Sequence, residues 1–278
     1  MLIDAHQHFW RIGQNDCVWP TPDLPAIHRD YGPRDLRVAA GSDLVGAVTV
    51  QSQPSDADTD WLLRLANDEP LILGVVGWVD LQSPLAPARI AALSAHPKFK
   101  GVRPMLQDLP DDAWIARPDL APAIDALVAR DLSLDALVFT RHLPHLLTLA
   151  TRWPDLRIVI DHGAKPPIAG DAFDEWAEAM SRLAALPQVH CKLSGLLTEA
   201  RPDQPPEAIT PYVDRLIALF GPDRLMWGSD WPVVDLAADY AAWLEQARSF
   251  PALRAPPFAQ AVFSDVARRF YRLDAGLQ

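Results

Sequence analysis

The sequence predicts an α/β protein built as a single (β/α)8 barrel, and three observations support this fold class. Eight short apolar segments rich in β-branched residues alternate with segments of helical periodicity. Segments such as LILGVVGWV and RIVI are apolar almost throughout, as expected for parallel strands buried on both faces. The length of 278 residues suits one such barrel, so we expect residues 1–278 to form one domain.

The predicted strands and helices alternate along most of the chain. Strands are expected at residues 2–6, 44–51, 71–79, 99–103, 132–138, 157–161, 188–194 and 223–229. Helices are expected at residues 56–67, 84–95, 118–130, 141–152, 171–185, 206–220 and 235–248. Asp56 as a cap and Pro118 in a first turn mark two of the helix starts. An open doubly wound sheet is the main alternative, but no glycine-rich phosphate-binding turn follows the first strand.

Two segments complete the predicted fold, an extended loop after strand 1 and a C-terminal helix. Residues 9–33 are rich in Trp and Pro and are too long for an ordinary βα loop. Whether this loop is a mobile lid over the barrel mouth is left open. Residues 256–270 have helical spacing, and we expect them to pack outside the barrel as a closing element.

Charge and cysteine content exclude several classes of function. The 36 acidic and 25 basic residues give a net charge of -11, which repels phosphate backbones and anionic membranes. No apolar run has membrane-spanning length, and no secretory signal is evident in the first residues. The two cysteines, Cys17 and Cys191, form no CxxC pair. We therefore expect a cytoplasmic protein with no nucleic-acid or membrane partner.

The first predicted strand ends in the sequence DAHQHFW, in which His6 and His8 are two residues apart. Because side chains in a strand alternate between its two faces, both imidazoles are expected to point into the barrel. Active sites of such barrels form at the carboxyl ends of the strands. The pair therefore indicates a site at the mouth, although an HxH pattern by itself is also a simple coincidence.

Two further strand ends bring polar side chains to the same rim. The sixth strand is followed by His162 in IDHG, and the eighth by Asp230 in WGSDWP. Because a His or Asp buried without a partner is costly, each is either hydrogen-bonded in the core or placed at a water-accessible mouth. We predict the second arrangement, in which Asp230 meets the imidazoles of residues 6, 8 and 162.

The ordered set of motifs resembles the amidohydrolase superfamily, of the amidohydrolase 2 type. DAHQHFW, IDHGAKP and LMWGSDWPV carry the resemblance. GVRPMLQD and CKLSGL are similar to the fourth and seventh strand segments of its branch of sugar lactonases and 2-pyrone-4,6-dicarboxylate lactonase. The resemblance covers essentially the whole chain and is strongest to L-fuconolactonase-like proteins. It implies a hydrolase that opens a small sugar lactone, of the L-fucono- or L-rhamnono-lactone type, to the hydroxy acid.

The resemblance also implies a limited metal site. Binuclear members of the superfamily use a carboxylated lysine after strand four and a histidine after strand five. Here Lys98 and Lys100 lie at the opposite end of strand four, and the fifth strand, SLDALVF, contains no histidine. One zinc ion held by His6, His8 and Asp230 is therefore the most that is expected. Metal-independent hydrolysis, which the lactonase branch implies for some members, is left open.

A mechanism follows from these side chains. Asp230 is predicted to act as general base on a water, while His6, His8 and His162 polarise the lactone carbonyl or hold a metal that does so. Candidate substrate contacts are Arg103 and Lys192 for charged oxygens, Gln51 for a hydroxyl group, and Trp10, Trp19 and Trp78 for apolar sugar faces. A structural ion pair for Arg103 and core positions for the tryptophans remain alternatives.

Three other functions stay open from the sequence. A decarboxylase of the same superfamily would use the same His and Asp positions with an obligatory metal. A lactonase of an aromatic-degradation pathway, acting on pyrone dicarboxylate or muconolactone, would need several arginines at the mouth, where Arg103 is the clear candidate. A non-catalytic binder would have no use for a base beside an imidazole cluster. The expected partner is a small-molecule lactone, and a homodimer is left open as the assembly.

Overall fold

In the computed structural model, which describes residues 1–170 and 172–273, eight parallel strands form one sheet in the order in which they occur along the chain. The strands are β1 (Leu2–Gln7), β2 (Leu44–Val50), β3 (Ile72–Gly77), β4 (Phe99–Val102), β5 (Ser133–Ala136), β6 (Arg157–Ile160), β7 (Val189–Leu193) and β8 (Leu225–Trp227). The sheet closes where β1 meets the segment after β8, since the N–H of His8 donates to the carbonyl of Trp231 at 2.8 Å. The predicted (β/α)8 barrel is confirmed.

Helices lie between successive strands and after the last one. Among the described residues they are α1 (Pro33–Ala40), α2 (Asp56–Asp68), α3 (Ala86–Ser94), α4 (Ala121–Ala129), α5 (Leu143–Arg152), α6 (Phe173–Ala184), α7 (Thr210–Arg224), α8 (Tyr240–Ser249), α9 (Pro251–Arg254), α10 (Pro256–Gln260) and α11 (Val266–Tyr271). Helices α1 to α7 connect successive strands, and α8 to α11 follow the last strand. None of the helices in this part of the chain has the length and apolar content of a bilayer-spanning segment.

All eight predicted strands and all seven predicted connecting helices have counterparts in the structure, with differences at their ends. Helix α1 was not predicted, because Leu36 is its one buried residue and no apolar stripe marks it. The predicted helix at 206–220 begins four residues later as α7, after a 3-10 turn at Pro206–Ile209. Residue 171, the first of another predicted helix, lies outside the described residues.

The C-terminal segment differs from its prediction in position and in shape. It is divided into α10, a π-helical turn at Ala261–Asp265, and α11. Phe270 and Tyr271 of α11 pack in one cluster with Ile3 and Ala5 of β1 and with apolar residues of four other strands, β2, β3, β6 and β8. This cluster is separate from the larger core that includes the connecting helices. The segment thus closes one end of the barrel interior instead of packing on its outside, because those inward side chains need an apolar cover.

The extended loop after β1 is confirmed and folds back on itself. Trp10 and Tyr31 exchange backbone hydrogen bonds of 3.3 and 3.1 Å across its two ends. Gln53, which follows β2, fixes the middle of the loop: its side-chain amide donates to the carbonyl of Trp19 at 2.7 Å and accepts from the N–H of Trp19 at 3.3 Å. These bonds hold Trp19 at the carboxyl end of the barrel.

Candidate active site

The strand carrying the HxH motif contains a bulge that aims both imidazoles inward. The ladder partners of Asp4 and Gln7 are only two residues apart on β2, so Ala5 and His6 together face a single residue of the neighbouring strand. A bulge of this kind shifts the alternation of side chains by one residue. As a result, Ala5 lies in the apolar interior, and His6 and His8 also point into the barrel.

The turn after β8 is fastened to β1 beside these histidines. The N–H of Asp230 donates to the carbonyl of His6 at 2.8 Å, and the N–H of Ser229 donates to Asp4 at 2.9 Å. Gly228 permits the close approach, since a Cβ atom there would lie 2.7 Å from the Cβ of His6 and 3.0 Å from its backbone nitrogen. The turn therefore presents Asp230 to the imidazoles.

The structure brings the four predicted catalytic side chains into one cluster. Oδ1 of Asp230 lies 3.3 Å from Nε2 of His8, 3.7 Å from Nε2 of His6 and 3.8 Å from Nε2 of His162. The Nε2 atoms of His6 and His8 are 3.1 Å apart. All four residues are buried, and Asp230 retains 4% of its accessible surface at the bottom of a cavity. Three imidazoles thus surround one carboxylate.

His162 is held by the strand that follows it in the barrel. Its Nδ1 lies 2.9 Å from the hydroxyl oxygen of Ser194, after β7. Gly195 packs against the ring, where a Cβ atom would lie 2.5 Å from Nδ1. Both His162 and Asp230 have left-handed backbone conformations, with φ of 53° and 57°. Such conformations are uncommon for residues other than glycine and are maintained here by the surrounding bonds.

Burial sets the charge state of the cluster. It lowers the pKa of His162 to about 4, and burial together with the ammonium of Lys192 lowers the pKa of His6 well below its ordinary value. Burial raises the pKa of the Asp230 carboxyl, but the facing imidazoles, His162 first, outweigh it, so that the net pKa is lowered. At neutral pH the Asp230 carboxylate therefore faces uncharged imidazoles at His6 and His162.

A second polar layer lies beneath the histidines, inside the barrel. Nζ of Lys192 lies 2.6 Å from Asp135, 2.9 Å from Asp161 and 3.1 Å from Nδ1 of His6. Tyr271, from α11, donates its hydroxyl to Asp135. Burial lowers the pKa of Lys192, but the two carboxylates outweigh it and raise the pKa overall. Lys192 is therefore a buried ammonium within a network that reaches from α11 to the imidazole of His6.

A cavity of about 370 Å³ opens above the cluster. His8, His162 and Asp230 contribute to its lining, as do Trp19 and Gln53. The remaining described residues around it include Arg103, Met105, Gln107, Leu137 and Lys165. The lining mixes polar and apolar groups, as is usual for small-molecule sites.

The predicted substrate contacts divide into two groups. Arg103 and Trp19 line the cavity, and the Arg103 guanidinium also lies 3.8 Å from Asp161 and donates to the backbone carbonyl of Gln51. Gln51, Trp10, Trp78 and Lys192 are outside the set of described residues that line it. Gln51 donates to the Arg103 carbonyl at 3.0 Å.

Two of the predicted contacts face elsewhere for identifiable reasons. Trp10 is fully buried and donates its indole N–H to the Arg29 carbonyl at 2.7 Å, so it belongs to the core of the extended loop. Lys192 is also fully buried. It lies within β7 and not beyond its end, which places its ammonium below the cavity and against His6 instead of against substrate oxygens.

Sequence reasoning missed three residues of the site. Asp135 and Asp161 were not singled out, although each is a charged residue in or directly after an otherwise apolar strand, the signal that was used for Asp230. Gln53 was missed because its role depends on the fold of the loop around Trp19, which no local pattern reveals.

Two overlapping groups of side chains could hold a metal ion, with ligand atoms within 4.8 Å of one another: His6, His8 and Asp230, and His6, Asp161 and His162. The first group fits zinc better. Nδ1 of His8 lies 2.8 Å from the carbonyl of Val50, so the ring proton is at Nδ1 and the lone pair of Nε2 faces the cluster, as in zinc-binding histidines. In the second group, Asp161 is already paired with Lys192.

Comparison with known proteins places this site in a family. A model described as Amidohydrolase matches residues 3–273. The chain is 53% identical over 277 residues to an L-fucono-1,5-lactonase from Burkholderia ambifaria, covering 98% of this chain and 96% of that protein. It is 40% identical over 252 residues to an L-fucono-1,5-lactonase from Burkholderia multivorans, covering 86% and 85%.

A solved structure agrees with these sequence relatives. An amidohydrolase from Burkholderia multivorans with bound zinc is 36% identical and superposes with a TM-score of 0.88 over 98% of this chain and 99% of that one. The match of the family model extends over nearly all of the sequence, and the resemblance inferred from the motifs is confirmed. This chain belongs to the amidohydrolase family.

Proposed function

We propose that this protein is a sugar lactonase that hydrolyses L-fucono-1,5-lactone or a closely related aldonolactone, with Asp230 as the general base. The observation that carries the proposal is the position of one carboxylate, 3.3 to 3.8 Å from three imidazoles, in the floor of a cavity of about 370 Å³. The relatives at 53% and 40% identity are both L-fucono-1,5-lactonases, which supports this substrate class.

The reaction needs a proton acceptor, a polarised carbonyl and a proton donor. Water attacks the lactone carbonyl carbon and gives its proton to Asp230; the ring C–O bond then breaks, and the same proton is delivered to the departing ring oxygen. The product is the open hydroxy acid. Because the pKa of Asp230 is lowered, the carboxylate is a weak base, and its contribution comes mainly from its fixed aim at the water.

The imidazoles stabilise the charge that develops on the carbonyl oxygen. His6 and His162 are neutral at pH 7. His162 lines the cavity, so an N–H of its ring donates to that oxygen, while His6, fully buried behind the lining, supports the site with its own ring N–H. One zinc ion, when bound by His6, His8 and Asp230, supplies Lewis-acid polarisation of the carbonyl and lowers the pKa of a bound water. Arg103, at the wall of the cavity, attracts the carboxylate of the product.

The charge of the cavity distinguishes this function from the alternatives. Among the described residues that line it, the cations are Arg103 and Lys165, and Lys165 lies 3.6 Å from Glu199. A pyrone dicarboxylate would place two further negative charges in this cavity, beside Asp230, with few cations to hold them. A neutral polyhydroxy lactone is therefore favoured. A cytoplasmic location, supported by the buried free thiols of Cys17 and Cys191, is part of the same proposal.

A lactone panel tests the proposal. Acid release is followed with a pH indicator for L-fucono-1,5-lactone, its epimers at single hydroxyl groups, L-rhamnonolactone and 2-pyrone-4,6-dicarboxylate, and the rate in buffer alone is subtracted. We expect the highest kcat/KM for a neutral six-carbon aldonolactone and no release of carbon dioxide. Hydrolysis of none of these lactones, by either zinc-loaded or chelator-treated protein, would overturn the proposal.

A further inference from the structure

The buried ammonium of Lys192 has three acceptors, which matches its three protons. Nζ lies 2.6 Å from Oδ2 of Asp135, 2.9 Å from Oδ1 of Asp161 and 3.1 Å from Nδ1 of His6. A lysine ammonium only donates. Since Lys192 is fully buried, no solvent competes for these protons, and the third one is directed at the imidazole.

We infer that Lys192 is a positioning residue that selects the tautomer of His6 and thereby opposes metal binding. By donating to Nδ1, Lys192 places the ring proton of His6 on Nε2, where it serves as a hydrogen-bond donor. Zinc needs the lone pair of the same Nε2. It therefore binds only when the ring proton of His6 is on Nδ1 and this N–H donates to Asp161. The inference rests on the proposed function for the role of the His6 N–H in the reaction. Its test does not depend on that function.

The geometry without a metal forms a consistent hydrogen-bond chain. Lys192 donates to Nδ1 of His6; Nε2–H of His6 donates to Nε2 of His8 at 3.1 Å; and Nδ1–H of His8 donates to the carbonyl of Val50 at 2.8 Å. Every imidazole nitrogen in the chain has a partner of the opposite kind.

A second consistent arrangement uses the neighbouring carboxylate. Oδ1 of Asp161 lies 3.3 Å from the same Nδ1 of His6. If the ring proton of His6 is on Nδ1 and donates to this oxygen of Asp161, Nε2 of His6 has a free lone pair. That lone pair points at Asp230 and His8, the other members of the metal group. A histidine that donates its second nitrogen to a carboxylate is the usual arrangement at zinc sites. Lys192 and Asp161 thus compete for one ring nitrogen.

Removal of Lys192 has to be compensated, because two carboxylates would otherwise be buried without their cation. Asp135 also accepts from Ser133 at 2.8 Å and from Tyr271, so Asp135→Asn removes one charge and retains a polar side chain. The double variant Asp135→Asn/Lys192→Met therefore conserves net charge and leaves Asp161 as the partner of His6. Asp135→Asn alone, which keeps Lys192, is the matched control.

Two measurements that do not use activity test the inference. In metal-stripped, ¹⁵N-labelled protein, the imidazole shifts of His6 report its tautomer, and competition with a chromophoric chelator gives the zinc affinity. We expect the control to carry the proton on Nε2 and the double variant to carry it on Nδ1. We also expect the double variant to bind zinc about tenfold more tightly, the usual scale for the outer partner of a metal-binding histidine.

The same tautomer and the same zinc affinity in both variants would overturn the inference. If the double variant does not fold, the metal-free wild-type protein decides: a proton on Nδ1 of His6 would contradict it, and a proton on Nε2 that moves to Nδ1 when zinc is added would support it. Failure of the lactone panel affects neither measurement, so the two proposals fail separately.

Discussion

His162 and Asp230 both carry left-handed backbone conformations, which for residues with a Cβ atom cost roughly 1–2 kcal/mol each. The bonds that maintain them come from neighbouring strands: the N–H of Asp230 donates to His6, and Nδ1 of His162 meets Ser194. The barrel therefore offsets a local strain that fixes two side chains of the site. A small displacement at either residue is expected to affect turnover more than stability.

Two glycines with similar positive φ angles separate these effects. Gly195 and Gly221 have φ of 60° and 58°, but a Cβ atom at Gly195 would strike His162, whereas Gly221 has nothing within 4 Å. Because φ is positive at both positions, each change to Ala should lower the unfolding free energy by about 1–3 kcal/mol. Only Gly195→Ala should also lower kcat, by about 100-fold, because the imidazole is displaced. Urea unfolding and steady-state kinetics measure both quantities. Equal kcat values for the two variants would contradict this account of His162.

The sequence identified the residues that lie beyond the strand ends better than those within strands. His162 follows β6 by two positions and Asp230 follows β8 by three, so their place at the rim could be predicted. Lys192 is the fourth of the five residues of β7. Alternation predicts that its side chain points inward, but its depth depends on strand length and on Asp135 and Asp161 across the barrel, which one strand does not reveal.

At the scale of elements, the start of α2 organises one wall of the mouth. Ser55, and not Asp56 as predicted, caps this helix by accepting from the N–H of Asp58 at 3.0 Å, and Asp56 is the first helical residue. The carboxylate of Asp58 accepts from the N–H groups of Ser52 and Gln53, at 3.0 and 3.3 Å. Gln53 in turn holds Trp19 over the cavity. The turn after β2 thus connects the helix start to the extended loop.

The buried carboxyl of Asp58 predicts a pH dependence of stability. Burial raises its pKa from 3.8 to about 6, so the folded protein holds this proton more tightly than the unfolded chain. The resulting stabilisation is complete below pH 3.8 and is lost as pH rises through 6, a change of about 3 kcal/mol. Asp58→Asn should therefore gain stability relative to wild type between pH 4.5 and pH 7.5, as measured by urea unfolding.

The neighbouring cap provides the control for this experiment. Ser55→Ala removes a hydrogen bond without removing a titrating group, so it should cost about 1 kcal/mol at both pH values. A stability difference between Asp58→Asn and wild type that is the same at both pH values would show that the carboxyl does not titrate as predicted.

The elements themselves were predictable to different degrees. Buried strands such as β3 and β6 are short, nearly continuous apolar runs rich in β-branched residues, and their length and composition identify them as strands. Helix α1 buries Leu36 alone and carries no such signal. The π-helical turn at Ala261–Asp265 was also beyond local pattern, because it arises where the C-terminal segment adapts to the end of the barrel.

At the scale of the whole molecule, the barrel is filled by layers of different character. Apolar strand residues and α11 occupy one end of the interior. The network of Lys192, Asp135 and Asp161 lies in the middle, and the imidazoles with Asp230 lie at the mouth. Tyr271 connects the first layer to the second by its bond to Asp135. The C-terminal segment therefore supports the site from below.

This supporting role predicts the effect of shortening one side chain of the C-terminal segment. Phe270 retains 3% of its accessible surface and packs in the interior cluster, so Phe270→Ala should lower the unfolding free energy by about 3–5 kcal/mol. Phe258→Ala, at a half-buried position in the same segment, should cost less. If urea unfolding gave the same loss of unfolding free energy for both variants, the C-terminal segment would not fill the barrel end as described.

The measurement that tests the central claim most directly is the turnover of Asp230→Asn on the preferred lactone. Asn has nearly the same shape but cannot accept the water proton, so kcat should fall by about 10³-fold, and urea unfolding shows that the variant is folded under the assay conditions. Asp235→Asn, at a carboxylate outside the set of residues lining the mouth cavity, should retain wild-type kcat. If Asp230→Asn kept more than about a tenth of wild-type kcat, a loss far smaller than a general base supplies, the assignment of Asp230 as the base would be contradicted.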